Sequence, residues 1–116
     1  MDDVSLYLAR RDAYAAFLAA ADAESDVAWH RVDGRHPDES AAVAAVDAAY
    51  ATTRGAFTLI EVEGTGPVAE GSAVLTQLAA MHKEHGSNPD WKAFEEAREA
   101  FLLAATGCLQ AMRDDH

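Results

Sequence analysis

Three Gly-x-x-Pro segments interrupt the chain, at residues 34–37, 64–67 and 86–89, and together they contain all three of its prolines. Glycine accepts the left-handed backbone conformation that commonly follows a helix end, whereas proline is tolerated in the first turn of the next helix because it has no N–H group to leave unpaired. The stretches between these segments are rich in alanine, the best helix former. The pattern therefore predicts four helices, at about 3–33, 37–63, 67–85 and 89–113.

A chain of 116 residues is long enough for one domain with one core. Because short connections favour antiparallel neighbours, we predict an all-α fold, a single-domain antiparallel up-down four-helix bundle over residues 1–116 that can also dimerise. An intertwined dimer of two helical hairpins satisfies the same pattern and stays open as an alternative.

Helical periodicity identifies the side of each segment that should face the core. In the second segment it selects Val43, Val46, Tyr50, Phe57 and Ile60. In the first segment it selects Tyr7, Tyr14, Phe17, Leu18, Ala21, Ala28 and Val32. In the third it selects Val68, Gly71, Leu75, Leu78 and His82, and in the fourth Trp91, Phe94, Phe101, Ala105, Cys108 and Met112.

Two local features of the helices can also be anticipated. An unbroken first helix would be about 45 Å long, so a break near Ser25, which could cap a restarted helix, stays open beside a continuous one. The fourth helix is predicted to begin with Asn88 as its cap and Pro89 in its first turn.

The formal net charge of −11 disfavours binding to nucleic acid or to an anionic membrane. No uninterrupted apolar run reaches the roughly 18 residues of a membrane span, and the opening Met1-Asp2-Asp3 lacks the basic residues of a secretory signal. We therefore expect a cytoplasmic protein. Its single cysteine, Cys108, excludes an internal disulfide and is expected to pack in the core.

Few residues have the spacing of a chemical site. His82 and His85 are three apart, so they share a helix face and could bind a metal ion; alternatively, they complement the dipole at a helix C-terminus. Trp29, with Val32, either closes one end of the core or contacts a partner. No Gly-x-Ser-x-Gly, P-loop or Glu-x-x-His repeat occurs, so we expect no catalytic residue and no cofactor.

The strings Arg11-Asp12-Ala13-Tyr14-Ala15-Ala16-Phe17-Leu18 and Glu61-Val62-Glu63-Gly64 resemble those of short, alanine-rich, largely uncharacterised helical proteins of high-GC actinobacteria. The resemblance implies a helical protein and transfers no functional residue.

Three functional hypotheses follow. The first is a non-enzymatic protein–protein interaction or adaptor module that binds a protein partner or itself through an apolar helix face. The second is a bundle that binds a small ligand or a metal between its helices. The third is an acidic inhibitor that covers a basic protein surface.

Overall fold

A computed structural model of the chain describes residues 2–83 and 90–115. Over these residues the chain forms four α-helices and no strand, which confirms the predicted all-α fold. The helices are α1 (Asp3–Val32), α2 (Glu39–Glu63), α3 (Val68–Lys83) and α4 (Trp91–Asp114).

α1 and α2 form an antiparallel hairpin. Arg31 pairs with Glu39 beside the turn, and Arg10 pairs with Glu63 at the opposite end. Between these ends Thr53 donates a hydrogen bond of 3.2 Å to the carbonyl oxygen of Ala20. These contacts place the two helices side by side over nearly the whole length of α2.

α4 also runs antiparallel to α1. The ring centroids of Trp29 and Trp91 lie 6.4 Å apart near one end of the bundle, and those of Tyr14 and Phe101 lie 6.2 Å apart farther along. α3 packs between α4 and α1, while α2 and α4 do not approach each other over the described residues. The fold is thus an up-down four-helix bundle in which α1 and α3 each contact all three other helices, over the described residues.

Aromatic rings fill the centre of the core. The centroid of Phe17 on α1 is 4.8 Å from that of Phe101 on α4 and 5.5 Å from that of Phe57 on α2. Gly71 of α3 lies against this cluster, because a Cβ atom there would stand 2.5 Å from a ring carbon of Phe57. The missing side chain of Gly71 therefore lets α3 pack close to the ring, as the sequence pattern predicts.

The helix ends combine glycines in the predicted left-handed conformation with aspartate caps. Gly34 and Gly64 adopt φ values of 68° and 72°, in the left-handed region that favours glycine. Asp38 and Asp90 cap α2 and α4, each accepting a hydrogen bond from the backbone N–H three residues later. Asn88, the cap predicted for the fourth helix, lies outside the described residues. Pro37 precedes α2 instead of starting it.

α1 is continuous from Asp3 to Val32, which answers the question left open by its length. Ser25 does not cap a second helix. Its buried hydroxyl donates a 2.8 Å hydrogen bond to the carbonyl oxygen of Asp22, one turn earlier. A short hydroxyl side chain can bond within a helix in this way without interrupting it.

The predicted inward face of α2 is partly wrong. Phe57 and Ile60 are buried, but Val43 and Tyr50 are exposed. Ala42 and Thr53 occupy the buried side instead. The reason is that α2 packs on alanine-rich parts of α1, where small residues allow a closer approach than a valine or a tyrosine would.

None of the helices has the length and apolar character of a membrane span, over the residues that the structure describes.

The fit of Gly71 against Phe57 can be tested with Gly71→Ala. The added methyl group overpacks the core at a cost of about 1–3 kcal/mol, which exceeds the helix-propensity gain of about 0.5–1 kcal/mol. Gly107→Ala is the matched control, since Gly107 is helical and a Cβ atom there meets nothing within 4 Å. Chemical denaturation should show a loss of stability for Gly71→Ala and a gain for Gly107→Ala. A gain for both variants would contradict the packing described here.

Candidate functional site

The side of α2 that points away from α1 is the most unusual surface of the molecule. We call it the outer face of α2. Its centre consists of the exposed residues Ala44, Ala48, Ala51, Gly55, Thr58 and Val62; one edge carries Val43, Asp47, Tyr50 and Arg54, and the other edge carries Leu59. The central positions lie opposite the buried Thr53 and Ile60 on the helix.

Apolar side chains on this face remain open to solvent. Val62 is 81% exposed, Leu59 63%, Tyr50 52% and Val43 43%. A solvent-facing helix side ordinarily carries charged and polar residues. Because α4 packs on α1 and not on α2, no helix of the described chain covers this face.

The outer face is also nearly free of charge. Between Ser40 and Ile60 the chain contains one acid, Asp47, and one base, Arg54. Both side chains are exposed, and neither has a hydrogen bond or ion pair within the described residues. The segment therefore has no net charge in a chain that carries −11.

The second unusual feature is a buried polar pair, Glu24 of α1 and His82 of α3. The Nε2 atom of His82 lies 2.7 Å from Oε2 of Glu24, and their side chains are only 11% and 2% exposed. Sequence analysis missed Glu24, although its four-residue spacing from the core positions Ala20 and Ala28 would have placed it on the inward side of α1.

This pair is incompletely satisfied. Glu24 Oε1 and His82 Nδ1 are buried and have no hydrogen-bond partner among the described residues. An unpaired buried polar atom costs about 1–3 kcal/mol, which reduces what the pair adds to stability. Its geometry joins one position on α1 to one position on α3.

A more exposed ion pair involves Asp22, two residues before Glu24 on α1. Arg98 of α4 donates to both carboxylate oxygens of Asp22, at 2.7 and 2.9 Å. This hydrogen bonding raises the pKa of Arg98 above its usual value. Because both side chains are about a third or more exposed, the pair is expected to contribute no more than about 1 kcal/mol.

The predicted metal ligands are only partly described. His82 lies against Glu24, and His85 lies outside the described residues. Among the described residues, no three His, Cys, Asp or Glu side chains converge in a way that could hold a metal ion. Metal binding by His82 and His85 remains a prediction.

Calorimetric titration with zinc should then give heat for the native chain and none for His85→Leu, which leaves the buried pair of Glu24 and His82 in place. No heat for the native chain would contradict metal binding.

The two predicted partner-binding residues differ in environment. Trp29 is half-buried and packs edge-on against Trp91, as part of the layer around the core. Val32 is exposed in the last turn of α1. The structure does not join them to the outer face of α2, and their role in partner binding stays a prediction.

A cleft of about 230 Å³ lies between the first half of α1 and the end of α2. Its walls include Ala13, Leu59 and the hydroxyl-bearing ring of Tyr14, whose pKa burial raises above the ordinary value. Arg10 and Glu63 line it as well but are already paired with each other. The cleft is smaller than the roughly 300–1,000 Å³ of typical small-molecule sites.

Cys108 is half-buried against the core cluster. This placement agrees with its predicted packing role.

Comparison of the chain with protein-family models, with curated proteins and with solved structures finds no match. The functional argument therefore rests on the residues themselves.

The coupling of Glu24 and His82 can be measured with a double-mutant cycle. His82→Leu leaves a buried carboxylate without its partner and should destabilise the fold by about 3–5 kcal/mol. The double variant Glu24→Leu/His82→Leu removes both polar groups and should recover most or all of that loss. Arg98→Leu serves as the exposed control, with a loss of no more than about 1 kcal/mol. Glu24→Leu completes the cycle, and a double variant whose loss equals the sum of the two single losses would show that the pair is not coupled.

Proposed function

We propose that the protein is a non-enzymatic interaction module and that the outer face of α2 is the surface through which it binds a protein partner. The observation that carries this proposal is the exposure of Val43, Tyr50, Leu59 and Val62 on the outer face of α2, which no other described helix covers.

The energetics favour this use of the face. Moving an exposed aliphatic or aromatic side chain into an apolar environment yields about 1.5–3 kcal/mol for complete burial. Several such side chains on one helix can thus offset the several kcal/mol that association costs in lost freedom of motion. Recognition of this kind, a helix face laid against an apolar surface, is common in protein binding.

The small residues of the outer face also favour the binding of a partner helix. Ala44, Ala48, Ala51 and Gly55 present little bulk, so a partner helix can approach the backbone of α2 closely. An ordinary surface helix gains solubility from charged side chains at such positions. Small residues at these positions therefore fit a helix face that another protein covers.

The alternatives have weaker support. The acidic residues of α4 that would cover a basic protein, Glu95, Glu96 and Glu99, are interspersed with Lys92 and Arg98, so the helix has no uninterrupted acidic side. The cleft beside Tyr14 is small and its charged groups are paired, which disfavours a ligand there. The expected cytoplasmic location stays a prediction.

Site-specific photocrosslinking tests the proposal. A photoreactive benzoylphenylalanine is placed at Thr58, on the outer face of α2, or at Leu103, which is 65% exposed on α4. In cells producing the full chain, Thr58 should give a discrete protein adduct and Leu103 none. Adding Tyr50→Lys to the Thr58 variant should abolish the adduct, because it places a charge in the apolar contact.

Equal labelling from both positions, or none from Thr58, would contradict the proposal. The mass of an adduct formed at Thr58 then identifies the protein that is bound there.

A further inference from the structure

We infer that the partner bound by the outer face of α2 is a second copy of the same chain, with the two α2 helices antiparallel about a two-fold axis beside Tyr50 and Ala51. This inference rests on the proposed function, since it takes the outer face as the docking surface.

Charge is the first argument for a second copy. A chain of net charge −11 repels its copies, and like charges brought together across an interface are costly. The outer face of α2 avoids this repulsion, because the segment from Ser40 to Ile60 carries one positive and one negative charge. A basic partner, by contrast, would gain nothing from a face without net charge.

The positions of the two charges are the second argument. Asp47 and Arg54 are seven residues, or two turns, apart on the same edge of the outer face. A two-fold axis midway between them places Asp47 of each copy near Arg54 of the other. Two intermolecular ion pairs form at once, which is the self-complementarity that a two-fold interface requires.

The residues between the charges fit the same arrangement. Tyr50 lies next to the axis and meets its own counterpart, a contact suited to offset or edge-on aromatic packing. On the adjoining centre line, Ala51 lies beside the axis and meets Ala51 of the second copy, and Ala48 follows about one turn farther along the helix. Their small size permits an interaxial distance near the lower end of the usual 8–10 Å range.

A parallel pairing would not have these properties. It would place the edge with Asp47 and Arg54 on opposite sides of the interface in the two copies, so that neither ion pair could form. The two orientations therefore respond differently to charge reversal.

The test uses the full chain and sedimentation equilibrium in low salt. Asp47→Arg and Arg54→Asp each turn two attractive pairs into two repulsive ones, and each should raise the dimer dissociation constant about tenfold or more. The double variant Asp47→Arg/Arg54→Asp restores both pairs and should dimerise about as tightly as the native chain. An equimolar mixture of the two single variants should form a heterodimer.

Glu96→Arg and Lys92→Asp are the matched controls. They change the net charge by the same amounts at exposed positions on α4. They should leave the dissociation constant within about threefold of the native value, because salt screens the interactions of exposed charges that lie far from the contact. Circular dichroism of each variant checks that the helices are retained.

A native chain that sediments as a monomer at all accessible concentrations would overturn the inference. So would a dimer whose dissociation constant is unchanged by Asp47→Arg and Arg54→Asp. If Tyr50→Lys disrupts that dimer, or if the Thr58 adduct contains a different protein, the outer face remains the docking surface and only the antiparallel self-pairing is wrong.

Discussion

The packing of every other helix on α1 is the constraint on which the rest of the structure depends. α2 and α4 both run antiparallel to α1, and α3 contacts it through the pair of Glu24 and His82. Since α2 and α4 do not meet over the described residues, α2 is covered only on the sides that face α1 and α3. One helix face with exposed apolar residues is the direct consequence.

The aromatic cluster and the polar pair have complementary roles in this arrangement. Phe17, Phe57 and Phe101 supply apolar burial where α2 and α4 pack on α1, and the hydrophobic effect that drives such burial is not directional. The bond between Glu24 and His82 is directional and joins one residue of α1 to one of α3. Buried polar groups are best supported as devices that select a register, and we interpret the pair in this way.

The number, order and class of the helices could be predicted from the sequence, because glycine and proline act locally on the backbone. Gly34 and Gly64 adopt the left-handed conformation for which their residue type is suited. The rotation of α2 about its axis could not be predicted. Its sequence has apolar residues on nearly all sides, so periodicity selected Tyr50 and Val43 as core residues, whereas the close contact with alanine-rich α1 turned them outward.

The candidate sites, too, could be predicted from the sequence only in part. His82 could be identified from its residue type, but its partner Glu24 is 58 positions away and is brought near only by the tertiary fold. The outer face of α2 was invisible to sequence analysis because its residues resemble core residues. Its significance follows from their exposure, which depends on where α4 packs.

The central claim, that two copies of α2 cover each other in antiparallel orientation, is tested most directly by pulsed electron paramagnetic resonance on the dimer. In a Cys108→Ala background, one spin label per chain is placed at Thr52 or at Ser40, both of which are exposed. The account predicts a short distance between the two copies for Thr52 and a separation of about 30 Å along the helix axes for Ser40. A short distance for both labels would indicate parallel helices, and the absence of any coupling between copies would show that the outer face is not covered by a second chain; either result would contradict the account.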